Sequence, residues 1–119
     1  MVAREATMVA REALTALYHS TSGWRVKSHW LDGGSICRWH GIDCVNKEVT
    51  SIDLGGNGMI GTLPTQLASL SMLRVLNIDE SRLSGTLPSE LGRLQTLETI
   101  LLASNPKLSG TLPHLVSTR

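Results

Sequence analysis

The tetrapeptide Gly-Thr-Leu-Pro occurs three times, at Gly61–Pro64, Gly85–Pro88 and Gly110–Pro113, and the residues around each copy recur with it. The steps between copies are 24 and 25 residues. Self-similarity at a period of 20–50 residues marks a chain built from repeated supersecondary units, none of which can bury its apolar face alone. Stacked units present an extended surface rather than a reaction pocket, so binding is the default functional expectation.

In register, the units read VTSIDLGGNGMIGTLPTQLASLSM, LRVLNIDESRLSGTLPSELGRLQT and LETILLASNPKLSGTLPHLV. Val49, Leu73 and Leu97 align, as do Ile52, Leu76 and Ile100, and Leu54, Ile78 and Leu102. The spacing apolar-x-x-apolar-x-apolar ends in period-2 alternation and predicts a short strand buried on one face. Asn57 and Asn105 come next, where a side-chain amide can satisfy loop backbone groups; Ser81 fills that slot in the second unit with a shorter side chain. Each glycine of the motif permits backbone angles closed to other residues, and each proline ends the extended stretch. The third unit has one extra residue within Asn105-Pro106-Lys107-Leu108, a loop bulge. Leu63, Leu67 and Leu70, with Leu87, Leu91 and Leu94, form a second apolar set for the returning convex side.

Residues 49–115 resemble the plant-type subclass of leucine-rich repeats, with its 24-residue unit and Asn-x-Leu-x-Gly-x-Ile/Leu-Pro stretch. Ser81 and the insertion at Pro106 are departures. The resemblance implies a right-handed leucine-rich-repeat solenoid of α/β class. A helical cap over residues 1–48 would precede three repeats, 49–72, 73–96 and 97–119, with a parallel sheet on the concave face.

All four aromatic residues, Tyr18, Trp24, Trp30 and Trp39, lie ahead of the repeats. Ala6, Val9, Ala10, Ala13, Leu14 and Leu17 fall at helical spacing over 3–18, with Arg4, Glu5, Arg11 and Glu12 off that stripe, and Ser20 to Gly23 ends the helix. A stack needs such a cap, because its first unit would otherwise expose a core and a strand edge. The stretch from Glu12 to Cys44, with Trp24, Trp30-Leu31 and Cys37-x-Trp39-x-Gly41-x-x-Cys44, is similar to the capping module of the same family. Met1–Ala6 recurs as Met8–Ala13, a duplicated start too short for a coiled coil.

With 11 Lys and Arg against 10 Asp and Glu, the formal charge is +1, so no field of one sign draws nucleic acid or an anionic membrane. Apolar runs are only a few residues long, and no signal-like apolar stretch comes after Arg4.

The resemblance implies a disulfide between Cys37 and Cys44, contributing about 2–3 kcal/mol by restricting the unfolded chain and placing the protein in an oxidising compartment. The same residues allow two rivals. Cys37, His40 and Cys44 could ligate a metal with His29 or His19, although the spacing is not a standard zinc pattern. Cys37 and His40 could form a catalytic dyad, but no third orienting group accompanies them. Gly56-x-Gly58-x-x-Gly61 matches a dinucleotide fingerprint with Asp79 downstream. Thr62-Leu63-Pro64 comes directly after it, however, rather than a helix able to hold pyrophosphate. No cofactor, metal or catalytic residue is therefore expected; His19, His29, His40 and His114 are scattered surface or cap residues.

Alternation against the buried Leu and Ile leaves three exposed ridges: Ser51, Val75, Thr99; Asp53, Asn77, Leu101; and Gly55, Asp79, Ala103, with Glu80 and Glu98 nearby. They form a mildly acidic face, on which Arg74 and Arg82 are the only residues of the anchor type. Three strands at a spacing of about 4.8 Å span only ~10 Å, while a standard interface takes ~800 Å² from each partner.

The expected function is non-enzymatic recognition of a protein or peptide, as the N-terminal part of a longer receptor-like or secreted protein at the cell surface or outside it. No kinase, nucleic-acid or direct membrane role is expected of this segment. An inhibitor-like module against a secreted hydrolase is the alternative the family also contains; a bare or self-associating scaffold, joined through an uncapped C-terminal edge, is another. The cysteine pair argues for secretion although no signal is visible, which a truncated or mis-started chain would reconcile.

Overall fold

The computed structural model describes residues 2–110 and 117–118, with side chains placed from residue 8 to residue 110. The third Thr-Leu-Pro, His114 to Val116 and Arg119 therefore lie outside the described residues, as do the side chains of Arg4, Glu5 and Ala6.

Helix α1, Val2–Ser20, lays Ala10, Ala13, Leu14 and Leu17 into the core. Val9 departs from the expected stripe and is 42% exposed. At 3.6 residues per turn it projects about 90° from the centre of the other four. Two hydroxyls close the helix by donating to the Leu17 carbonyl, Ser20 Oγ at 3.1 Å and Thr21 Oγ1 at 2.7 Å; they satisfy a carbonyl orphaned by the helix end.

The rest of the cap is held by aromatic packing. Trp30 lies 4.6 Å from Trp24 and 4.9 Å from Trp39 between ring centroids, and Tyr18 packs on Trp24 and Trp30. The Trp30 indole donates to the His40 carbonyl at 2.9 Å. Arg11 places its guanidinium over the Trp39 ring and donates to the Gly34 carbonyl. Cys37, in a short 3₁₀ turn (Ile36–Arg38), is disulfide-bonded to Cys44 with Cα atoms 5.7 Å apart. The sulfurs considered as metal ligands or nucleophile are thus consumed in a structural bond.

Two sheets accompany the repeats. Strands β1 (Thr21–Ser22), β2 (Ile42–Val45), β3 (Glu48–Asp53), β4 (Ile60–Gly61), β5 (Val75–Asn77), β6 (Arg82–Thr86), β7 (Thr99–Leu101), β8 (Lys107–Ser109) and β9 (Ser117–Thr118) divide between them. One sheet runs β2-β3-β5-β7-β9 and the other β1-β4-β6-β8. Pairing among β3, β5 and β7 is parallel, whereas β2 pairs antiparallel to β3 through a two-residue turn. Asn46 and Lys47 in that turn have φ of 51° and 66°, the positive values a tight hairpin requires. The cap thus covers the first edge with a strand of its own. The repeat period predicts only parallel strands there and gives no sign of β2.

The second sheet is likewise absent from the sequence expectations. Its repeat strands lie where Met59, Leu83 and Leu108 turn inward, next to the glycine of each motif. Gly61 shows why that position excludes a side chain: its φ is 131°, and a Cβ would collide with the Ser20 carbonyl oxygen. Pro64 and Pro88 then end the extended stretch and open the 3₁₀ turns Thr65–Ser69 and Ser89–Arg93.

The core is the aligned apolar positions stacked unit on unit. Val49, Leu73 and Leu97 are buried, as are Ile52, Leu76 and Ile100, and on the returning side Leu63, Leu67 and Leu70 with Leu87, Leu91 and Leu94. Leu102 is only partly buried, unlike its counterparts Leu54 and Ile78; no described unit lies beyond it.

The asparagine slot ties each unit to the one before. Asn105 accepts from the Leu83 amide at 3.2 Å and donates to the Ile78 carbonyl at 2.7 Å. Asn57 makes a two-way contact of the same kind with Val26 of the cap. Ser81 only accepts, from the Met59 amide at 3.3 Å.

Candidate functional site

Strand alternation and ladder register together build the outward face of the five-stranded sheet. Ser51, Val75 and Thr99 are direct cross-strand partners, and so are Asp53, Asn77 and Leu101. Gly55, Asp79 and Ala103 come at the strand ends, where the backbone continues the same step: Gly56 donates to the Asp79 carbonyl and Glu80 to that of Ala103, each at 2.8 Å. All of these residues retain solvent exposure, and Asp53, Gly55, Glu80 and Ala103 are the most open of them.

Side chains link the ridges laterally. Asn77 Nδ2 donates to Asp53 Oδ1 at 2.9 Å, and Asn77 Oδ1 accepts from the Asp79 amide at 3.0 Å. Asp79 Oδ1 accepts from the Ala103 amide at 2.7 Å. Gly55 leaves room for this ladder, since a Cβ there would stand 2.9 Å from Asn77 Oδ1. One oxygen of each aspartate is therefore committed inside the sheet. Their Oδ2 atoms carry no hydrogen bond among the described residues, leaving one open acceptor on each held carboxylate.

Glu80 stands apart from the ladder at φ 54°, a left-handed conformation its repeat counterparts Gly56 and Ser104 share at 70° and 59°. Glu98 is not a free acid of this face. It pairs with Arg74 through two contacts, at 3.0 and 3.3 Å, and these hydrogen bonds hold the guanidinium pKa above its ordinary value. Arg74 is thereby engaged at the entry to β5, while Arg82 lies on the other sheet. The two arginines of the anchor type do not meet.

The face is wider than three strands. With β2 and β9 at its flanks the sheet has five strands, about 19 Å across at the usual spacing. β9 also covers the edge of β7 by pairing Thr99 with Ser117, so the edge expected to be bare carries a further strand.

Among the described residues no group of three or more His, Cys, Asp or Glu is placed to hold a metal ion. His29 is instead paired with Asp32, its Nδ1 2.9 Å from the carboxylate. The Gly34 amide, foremost, and His29 hold the Asp32 carboxyl below the ordinary carboxylate range. After Gly61 the chain enters a 3₁₀ turn, so Gly56, Gly58 and Gly61 do not open a helix that could receive a pyrophosphate. Missed entirely by sequence reasoning is the groove lined by Ile60, Arg82 and Lys107 on the second sheet; only the pairing of β4, β6 and β8 brings these residues together.

The Leucine Rich Repeat family model matches residues 72–94. The chain is 32% identical over 78 residues to Receptor-like kinase TMK4 of Arabidopsis thaliana, covering 66% of this chain and 8% of that protein. The chain thus spans under a tenth of that relative's length. Its fold resembles the BIR3–SERK2 complex from Arabidopsis thaliana at a TM-score of 0.72 and 24% identity, over 90% of this chain and 64% of that one. The PEPR1–AtPEP1 structure is similar at 0.69 and 23%, over 91% of this chain and 18% of that one. The chain carries plant-type leucine-rich repeats behind a cysteine-containing cap, and this portion resembles receptor-like ectodomains.

Proposed function

We propose that this chain is a non-enzymatic recognition module, part of a longer extracellular or cell-surface protein, which binds a protein or peptide on the outward face of its five-stranded sheet. In this reading residues 1–48 cap a right-handed solenoid whose repeats occupy 49–119, and that face is concave. Its contacts are Ser51, Asp53, Gly55, Val75, Asn77, Asp79, Glu80, Thr99, Leu101 and Ala103.

The observation that carries the reading is the Asp53–Asn77–Asp79 ladder. It fixes two carboxylates in place before any partner arrives, so little ordering entropy remains to be lost on binding. A partner offering Lys, Arg or backbone amides would complete the open Oδ2 atoms, beside the apolar Val75 and Leu101. Three further facts support it. The similar structures include a complex between BIR3 and SERK2, and TMK4 is a receptor-like kinase. The Cys37–Cys44 disulfide fits an oxidising compartment.

The test is capture of secreted proteins by the purified chain, compared with a variant carrying Asp53→Ala, Asp79→Ala and Glu80→Ala. Specific recognition predicts partners lost in the variant; an unchanged set of captured proteins would sink the proposal for this face.

A further inference from the structure

The second sheet carries a groove of about 430 Å³ that recognition through the acidic face leaves unused. Ile60, Arg82, Leu83, Ser84, Pro106 and Lys107 line it. The groove arises from a stagger. In sequence register Ile60 aligns with Ser84, but β4 pairs with β6 two residues out of step, setting Ile60 beside Arg82. Ser84 in turn pairs with Lys107. Two cations therefore flank an apolar wall made by Ile60, which is 45% exposed, and by exposed Pro106.

Among the described residues, Arg82 and Lys107 have no salt bridge and no side-chain hydrogen bond, and no carboxylate lines the groove. The acidic residues Asp53, Asp79 and Glu80 belong to the other sheet and its loops. The acidic ladder and these two cations thus lie on different sheets.

We propose that the groove is a second docking site, for an extended segment of a partner protein that presents acidic and apolar side chains in turn along one of its sides. In an extended chain residues i and i+2 share one side, so acidic and apolar residues taken in turn along that side can meet Arg82 and Lys107 as well as the neighbouring Ile60 and Pro106. The planar fork of Arg82 suits a carboxylate, which can accept from it in parallel. A polyanion such as an acidic polysaccharide fits less well. Two cations give it little charge to track, and it would desolvate Ile60 without replacing the water by apolar contact.

The test uses the full chain and fluorescein-labelled octapeptides read by anisotropy. The probes are two repeats of Glu-Ser-Leu-Ser (the Glu-Leu probe), two repeats of Lys-Ser-Leu-Ser (the Lys-Leu probe), and eight Glu, with unlabelled polygalacturonate as competitor. Expected are saturable binding of the Glu-Leu probe, no binding of the Lys-Leu probe, and weaker binding of the all-Glu probe. Arg82→Glu with Lys107→Glu should weaken the Glu-Leu complex at least about tenfold by placing like charges together, and Ile60→Ser should weaken it at unchanged salt dependence. Asp53→Ala with Asp79→Ala should leave it unaltered, which separates this groove from the acidic face. These positions are at the surface, and unchanged circular dichroism confirms that each variant folds. The proposal is overturned by no binding of the Glu-Leu probe up to about 1 mM, by equal binding to the charge-reversed variant, or by polygalacturonate or all-Glu binding as tightly as Glu-Leu.

Discussion

Glu80 occupies a backbone position for which glycine is the natural choice. Its φ of 54° repeats that of Gly56 one unit earlier, where no Cβ is present to crowd the carbonyl. Glu80→Gly should raise stability by up to about 1 kcal/mol, measured as a shift in the urea midpoint at constant slope. The same change should weaken partner capture, because it removes the exposed carboxylate; stability and binding would then move in opposite directions. At the asparagine slot the sign is set by a missing donor. Ser81 accepts from Met59 but gives nothing to the Leu54 carbonyl, the counterpart of the Ile78 carbonyl that Asn105 serves. Ser81→Asn should stabilise by roughly 0.5–1.5 kcal/mol, whereas Asn105→Ser, which strips buried partners, should cost about 1–3 kcal/mol. Asp32 sets an acid-side response. Its carboxyl is held below the ordinary range by the Gly34 amide and His29, so its contribution is complete above the unfolded value near ~4 and is lost as pH falls through the folded value. Asp32→Asn should flatten the loss of stability between about pH 5 and 3, as urea midpoints across that range would show.

At the scale of elements, the cap is a joint between an aromatic cluster and the first repeat. Helix α1 closes over the 3₁₀ turn Thr65–Ser69 and over β3, and β2 finishes the sheet on the same side. Leu14 is fully buried, and Leu14→Ala should cost about 2–5 kcal/mol by leaving a cavity. Because each unit leans on its neighbour, the loss should propagate. Hydrogen exchange at β3 should rise before exchange at β7. Removing the Cys37–Cys44 bond should cost about 2–3 kcal/mol on a chain-entropy estimate. Intact mass short by two hydrogens, with no alkylation until reduction, checks that the bond forms.

The described residues occupy 40 × 31 × 19 Å, and the two sheets give the molecule two surfaces of different chemistry. Five short strands widen the acidic face beyond the ~10 Å of three, yet still offer less than the ~800 Å² per partner of a standard interface. In isolation, this stretch should bind its partner weakly, at micromolar Kd or above. Isothermal titration would show this, and nanomolar affinity through the acidic face alone would contradict it. No helix among the described residues is long and apolar enough to cross a membrane.

Much of the fold was legible because repetition multiplies a weak signal. One apolar-x-x-apolar-x-apolar run is ambiguous, but three in register identified the buried triplets, apart from the only partly buried Leu102, and the ridges that Ser51, Asp53 and Gly55 begin. The helix was legible from its stripe, apart from Val9 at the margin. The ladder that commits half of Asp53 and Asp79 was not legible, since alternation says which way a side chain points and not what it meets. Nor was the pairing of Arg74 with Glu98 across adjacent units.

The sequence by itself determined the period, and with it the parallel β3-β5-β7 ladder, because units of equal length stack in step. Tertiary structure alone decided what lies outside that period. β2 closes the first edge in the opposite sense, and β4 and β6 pair two residues out of step. The physical reason is that a periodic chain specifies which residues are equivalent, whereas packing specifies which are adjacent. The three Gly-Thr-Leu-Pro copies place Ile60 opposite Ser84, while the folded sheet places it beside Arg82 and so makes a charged groove.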